Sequence, residues 1–110
     1  MAGRLERGEI RLLRFESPDK ERPVVILTRG SSLEFLGRVT VAPITSTIRG
    51  VRSEVLLDVE DGVKGSCVVN AHNLVTVEKG RIGRRVGRLS GGRMGAVCAA
   101  IAFALGCGGE

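Results

Sequence analysis

Neither tryptophan nor tyrosine occurs in this chain, and the only aromatics are Phe15, Phe35 and Phe103. That scarcity removes the usual base-stacking platform of nucleic-acid-binding sheets, which needs several flat rings on one face. It also leaves the core to Val, Ile, Leu and Ala. Cysteine is sparse too: Cys67, Cys98 and Cys107 form no CxxC, and the single histidine, His72, pairs with none of them. An odd count at wide spacing argues against a disulfide framework or a zinc site. Cys67 and Cys98 sit among apolar neighbours and are expected as small buried hydrophobes. A reducing cytoplasm fits that usage. No run is long enough to span a bilayer, since Met94–Gly108 falls short of the roughly 20 residues required. The opening MAGRLERGEI has no apolar h-region, so no secretory signal is expected.

What the chain does have is charge of both signs and a lopsided excess of one. Its 110 residues predict one domain over 1–110, and the mixture of charged and apolar residues predicts an ordered one. The net charge is +5, but ten basic and ten acidic residues cancel up to Asp61. The whole excess therefore lies in Gly62–Glu110, chiefly in Lys79, Arg81, Arg84, Arg85, Arg88 and Arg93. A basic stripe of this kind attracts polyanions, nucleic acid first among them. It equally serves as a solvated face that keeps a small protein dispersed.

Alternating apolar positions predict strands at Ile10–Phe15, Val24–Thr28, Arg38–Ile44, Ser53–Leu57, Ser66–Asn70 and Leu74–Val77, with a shorter one at Val86–Leu89. The unbroken VVILT run implies a strand buried on both faces. Glu16–Glu21 and Asp58–Gly65 carry turn chemistry, and Arg29–Gly37 reads as a loop holding about one helical turn. Ser90 is placed to cap a helix over Gly91–Leu105, with Gly106 as its stop. Met94, Val97, Cys98, Ile101 and Leu105 fall on one face of that helix, and alanines make the other faces small enough for close packing. Many short strands and one terminal helix predict a mainly β fold: a small, strongly curved barrel closed off by a C-terminal helix.

The stretch Arg38–Gly50, RVTVAPITSTIRG, holds the most chemistry. A stiff β-branched strand ends by presenting Thr45, Ser46 and Thr47, and Arg49 follows. Hydroxyls and a guanidinium at the end of a rigid element can hold an anion, although the same hydroxyls also serve as an ordinary turn cap. Arg22, just before Pro23 at the mouth of a loop, is expected outside the strand that follows. There is no P-loop, no nucleophile elbow and no carboxylate pair at catalytic spacing. An enzyme built from this set must work with Arg, Thr or Ser, and His. Cleavage of RNA by its own 2′-hydroxyl suits them, because the substrate supplies the nucleophile. The protein then has to bind the phosphate, stabilise the phosphorane-like transition state and move protons. Arginine's planar fork, always charged, fits the second task.

The markers RGEI (Arg7–Ile10), RPVVIL (Arg22–Leu27), VAPITSTIRG (Val41–Gly50), SEVLL (Ser53–Leu57), SCVVNAHNLVTVEKGRI (Ser66–Ile82) and VGRLS (Val86–Ser90) occur in that order. In this the chain resembles the MazF/PemK family of toxin ribonucleases, over about Arg7 to Leu105. The resemblance implies an SH3-like barrel of the MazF/CcdB type, a homodimer, and a type II toxin held inactive by a cognate antitoxin with an acidic, partly disordered segment. It implies metal-independent, cofactor-free endoribonuclease action on single-stranded mRNA, leaving 2′,3′-cyclic phosphate and 5′-hydroxyl ends. It also makes Arg22 and Thr45 the residues at the scissile phosphate.

The chain departs from the family pattern in two places. The loop before RPV is short, with only Glu16–Glu21 remaining, so base preference does not carry over. The segment usually written VN-x-D-Q-I-R-T is VNAHNLVT here. His72 thus replaces an acid that acts as base in some relatives, and Val75 replaces an arginine. A neutral imidazole can accept the 2′-hydroxyl proton near neutral pH, so His72 is the candidate base. As a lone histidine beside a strand it equally reads as a surface or hydrogen-bonding residue. Thr47, Arg49, Asn70, Arg81, Arg84 and Arg85 are candidate RNA contacts. Arg49 has a second reading as a partner of Glu54, and Asn70 as a turn residue. The rival function is a non-catalytic, CcdB-like barrel that binds a DNA topoisomerase.

Overall fold

The computed structural model describes residues 4–14 and 21–107. Its strands are β1 (Glu9–Arg14), β2 (Glu21–Ile26), β3 (Arg38–Thr45), β4 (Glu54–Leu57), β5 (Cys67–Asn70), β6 (Val75–Glu78) and β7 (Ile82–Arg88), followed by the helix α1 (Gly91–Leu105). One-turn 3-10 helices stand at Gly30–Ser32, Val59–Asp61 and Lys79–Arg81. The predicted turn at Glu16–Glu21 lies, up to Lys20, outside the described residues.

The eight-residue β3 is the spine of the sheet. One edge pairs with β2, with Ile26 opposite Val41 and Val24 opposite Pro43. The other edge pairs first with β6, Arg38 to Val41 against Glu78 to Val75, and then with β5, where Ile44 meets Val69 and Thr45 meets Val68. A proline inside a central strand needs a reason, because it cannot donate to a ladder. The Thr40 N–H donates to Thr28 Oγ1 at 2.8 Å and its carbonyl accepts from the Leu27 N–H at 2.9 Å, both on the β2 side. Alternation turns the Pro43 nitrogen to the other edge, into the gap where β6 has ended and β5 has not begun. No donor is missed there.

The hydrogen-bonded path runs β4-β5-β3-β2-β1-β7, with β6 added on β3, and does not close. Its two ends are brought together by backbone contact. A Cβ at Gly87 of β7 would stand 2.5 Å from the Asp61 carbonyl oxygen, and one at Gly62 would stand 2.9 Å from Gly87 Cα. Only glycine allows the turn after β4 to lie this tightly on β7, and Gly62 also needs its φ of 97°. The result is the mainly β, barrel-like fold with a C-terminal helix that the sequence predicts.

β2 and β3 carry buried side chains on both faces, as the VVILT run implies. Val25, Ala42 and Ile44 join Val55, Leu57 and Val69 in one apolar cluster, which α1 covers with Val97 and Ala100. Val24, Ile26, Val39 and Val41 join Leu13 and Ile82 in a second cluster on the opposite side. Ser90 caps α1, its Oγ accepting the Arg93 N–H at 3.1 Å, and Gly106 ends it at φ 71°.

Three sequence expectations are corrected. The buried face of α1 is Val97 and Ala100, flanked by Met94 and Ile101, while Cys98 and Leu105 are exposed. Alanine at position 100 allows close approach to the sheet, and this rotates the helix away from the face that size alone picks out. The last strand begins at Ile82, not Val86, so Arg84 and Arg85 lie within it. Arg22 sits inside β2, because pairing with β1 extends the strand past Pro23 to Glu21, with Arg22 opposite Leu13.

Candidate active site

The ladder between β2 and β3 decides which residues meet. Carried two residues beyond Val24 and Pro43, its antiparallel register sets Arg22 across from Thr45, at one end of both strands. Two residues 23 positions apart in sequence thus become neighbours in the sheet. A cleft of about 730 Å³ opens at that end, and both line it. Arg22 is exposed, and among the described residues no carboxylate pairs with it. Thr45 is half-buried, and its Oγ1 accepts the Thr47 N–H at 3.1 Å. That contact fixes the oxygen and leaves the hydroxyl proton free to donate outward.

Other cations border the same space. Arg84 of β7 and Lys64 of the turn between β4 and β5 line it, with the hydroxyls of Ser46 and Ser66. Glu21 is the one carboxylate among its described lining residues. Arg84 and Glu21 also border a second cavity of about 470 Å³, lined by Arg11, Arg14, Arg81 and Arg85. Arg81, Arg84 and Arg85 of the late basic cluster are therefore brought against the Arg22–Thr45 end of the sheet. Two of these three are partly engaged: Arg81 Nε donates to the Arg14 carbonyl at 3.1 Å, and Arg85 stands 3.7 Å from Glu9.

The turn that carries Lys64 and Ser66 is anchored at Asp61. One oxygen of this buried carboxylate accepts from Arg93 Nε at 3.2 Å, and the other accepts the Asp58 N–H at 2.9 Å. The hydrogen bond that it donates to Asp61 is the main reason the Arg93 guanidinium binds its proton more tightly than usual. Cys67 also borders the cleft, but burial, helped by the negative Asp61, raises its thiol pKa. It is a poor nucleophile at neutral pH.

His72 is not among the residues that line this cleft. It borders a neighbouring pocket of about 330 Å³ together with Val24 and Pro43. Strand alternation puts Arg22, Val24, Pro43 and Thr45 on one face, so the pocket opens on the face from which Arg22 and Thr45 project. His72 Nδ1 lies 2.5 Å from the Ser53 hydroxyl oxygen. Its Nε2 can therefore accept a proton only in the tautomer whose Nδ1–H donates to Ser53.

Of the other candidates, Thr47 and Arg49 are exposed and do not line the cleft. Glu54 does engage Arg49, but through the backbone: its Oε1 accepts the N–H groups of Arg49 at 3.1 Å and Gly50 at 2.9 Å. This holds the loop and leaves the Arg49 guanidinium outward. Asn70 acts as a turn residue, with Oδ1 accepting the His72 N–H at 3.1 Å. Glu21, Lys64 and Ser66 escaped the sequence reading. Nothing local marks them, because only the packing of the 58–66 turn on β7 brings Lys64 and Ser66 to the cleft.

Comparison with known proteins agrees with this architecture. Residues 6–105 match the family model of PemK-like, MazF-like toxins of type II toxin–antitoxin systems. The probable endoribonuclease MazF2 of Mycobacterium tuberculosis is 36% identical over 104 residues, covering 94% of this chain and 100% of the relative. The endoribonuclease MazF3 of the same species is 42% identical over 83 residues, 76% of this chain and 81% of the relative. Among solved structures, the Mycobacterium tuberculosis toxin MazF-mt6 superposes with a TM-score of 0.81 at 38% identity, covering 88% of this chain and 95% of that one. A mycobacterial endoribonuclease solved with its cognate antitoxin has the same fold, with a TM-score of 0.84 at 24% identity over 93% of this chain and 95% of that one.

Proposed function

We propose a mechanism from one premise: the chain belongs to the family of PemK-like, MazF-like toxins of type II toxin–antitoxin systems, and it is an endoribonuclease. Its substrate in this reading is single-stranded RNA, mRNA above all. The 2′-oxygen attacks the adjacent phosphorus, the bond to the 5′-oxygen breaks, and the products carry a 2′,3′-cyclic phosphate and a 5′-hydroxyl. The observation that carries the reading is that Arg22 and Thr45 line one cleft at the paired ends of β2 and β3. Arg22 stabilises the charge that builds on the phosphorane oxygens and assists proton transfer, and Thr45 donates a hydrogen bond to one of those oxygens. His72 takes the 2′-hydroxyl proton from the adjoining pocket through Nε2. Arg81, Arg84 and Arg85 steer the polyanion in, with Thr47, Arg49 and Asn70 as outlying contacts.

The chain acts as a homodimer in the cytoplasm, inhibited by a cognate antitoxin whose acidic segment occupies the basic cleft. Exposed Leu56, Phe103 and Leu105 suit a second copy. Among the described residues no helix is long and apolar enough to cross a membrane. The matching relatives are named endoribonucleases, so the topoisomerase-binding alternative gains no support.

The test is to incubate the purified protein with single-stranded RNA in EDTA. Discrete cuts ending in cyclic phosphate, abolished by Arg22→Ala, are expected. An Arg22→Ala protein that cuts as the parent does overturns the assignment. With His72 as the base, His72→Ala lowers the cleavage rate without weakening RNA binding. An unchanged rate removes His72 from the chemistry.

A further inference from the structure

The cleft has two kinds of lining, and only one of them suits a phosphate. Arg22, Lys64 and Arg84 are donors with permanent or near-permanent charge, and Thr45, Ser46 and Ser66 bring hydroxyls. Leu12, Pro23, Ile44, Val63 and Val86 line it with apolar surface, and of these Ile44, Val63 and Val86 are continuous with the core that α1 covers. A volume of about 730 Å³ with an apolar floor beside these polar groups is large enough for one nucleobase. Single-stranded RNA offers such rings, because its bases can be splayed out of the stack and read on their edges.

Glu21 is out of place in an anion site. Its carboxylate repels phosphate, and among the described residues no cation forms an ion pair with it despite the surrounding arginines. It reaches across β1 to lie over Gly83 of β7, where a Cβ would come within 3.7 Å of its Oε2 and 3.2 Å from the Leu12 carbonyl oxygen. A Cβ at position 83 would press on the β1–β7 contact at Leu12 and meet the carboxylate at ordinary van der Waals distance. Alternation points Glu21 and Arg22 to opposite faces of β2, although both border the cleft. An ionised carboxylate only accepts hydrogen bonds. Besides the ribose 2′-hydroxyl, the neutral donors that a splayed nucleotide brings to such a pocket are the N–H groups on its base edge.

We propose that this cleft is a base-reading pocket for a nucleotide flanking the scissile bond, and that Glu21 is its specificity-determining residue. The pocket takes a base with an exocyclic amino group (guanine, cytosine or adenine) and disfavours uracil, whose one edge N–H lies between two carbonyl oxygens that would face the carboxylate. Lys64 and Arg84 hold the neighbouring phosphates. The assignment rests on the nuclease reading above and adds to it the choice of cut site.

The experiment is cleavage of a randomised single-stranded RNA pool by the parent protein and by Glu21→Gln, with the cut ends sequenced. A parallel selection for binding uses a 2′-deoxy pool that lacks the nucleophile. The parent protein should disfavour uracil at one position beside the cut. In Glu21→Gln, whose amide can also donate, uracil at that position should rise about tenfold or more relative to the amino-bearing bases. Unchanged base preference in the variant overturns the proposal. So does a uniform loss of cutting at every site with preference intact, which would make Glu21 part of the chemistry. If the parent protein cuts nothing, the nuclease reading fails by itself and the 2′-deoxy selection decides: a bias against uracil that depends on Glu21 supports the pocket, and binding without base preference or no binding overturns it.

Discussion

Arg11 and Arg22 lie on neighbouring strands and do opposite things. Arg11 is 5% exposed and fully occupied: it pairs with Glu9 at 3.0 Å and donates to the Gly83 and Arg4 carbonyls at 3.1 and 3.0 Å. Glu9 is equally buried and also accepts the Glu6 N–H at 2.8 Å. Arg22, one strand away, is exposed and meets no carboxylate among the described residues. A guanidinium whose donors are all used holds the sheet together and has nothing to offer a ligand. One that meets no carboxylate among the described residues, at the mouth of a cleft, has its fork available for a phosphate. Residue type does not separate the two arginines here; the supply of carboxylates and carbonyls does.

The largest effect expected from this contrast is on stability. Arg11→Ala leaves the buried Glu9 carboxylate with only the more distant Arg85 and the Glu6 N–H, and should cost about 3 kcal/mol, read from denaturant unfolding. A loss below about 1 kcal/mol would erase the distinction. Arg22→Ala should instead leave the unfolding midpoint within about 0.5 kcal/mol of the parent and cut RNA cleavage by about 10²–10³-fold. Arg22→Lys sharpens the point, because a lysine keeps the charge without the two-pronged fork and should recover only part of the rate.

Smaller effects follow at Thr45. Thr45→Val removes both the donor to the phosphate and the acceptor for the Thr47 N–H, and should lower cleavage by about 10–100-fold. Thr45→Ser should keep most of the activity, since the hydroxyl does the work in this reading. Equal losses in the two variants would mean that the methyl group's packing matters more.

The smallest contrast is between thiols. Cys98 and Cys107 are exposed, whereas Cys67 is buried with its pKa raised by desolvation and by Asp61. Below the value of the unfolded chain Cys67 is a thiol in both states. As pH rises past that value the unfolded chain ionises first, so folding loses stability towards alkaline pH. Alkylation of the native protein near neutral pH should modify Cys98 and Cys107 and spare Cys67 until the chain is unfolded. Mass spectrometry showing prompt labelling of Cys67 would contradict its burial.

The amino-acid sequence by itself determined most of the strands, the hydroxyl turn, the Ser90 cap and the Gly106 stop. These depend on local alternation and on side chains bonding nearby backbone, so neighbours in sequence suffice. It also supplied the Arg22 and Thr45 pairing, through motif resemblance and not through any contact legible in the residues. Tertiary structure decided the rest. The face of α1 that is buried depends on how closely Ala100 can approach the sheet. The start of the last strand depends on β1 being there to pair with it. Glu21, Lys64 and Ser66 reach the cleft only because β7 and the 58–66 turn meet through Gly62 and Gly87. Local pattern records what each segment prefers; a site assembled from four separate segments exists only once long-range pairing has brought them together.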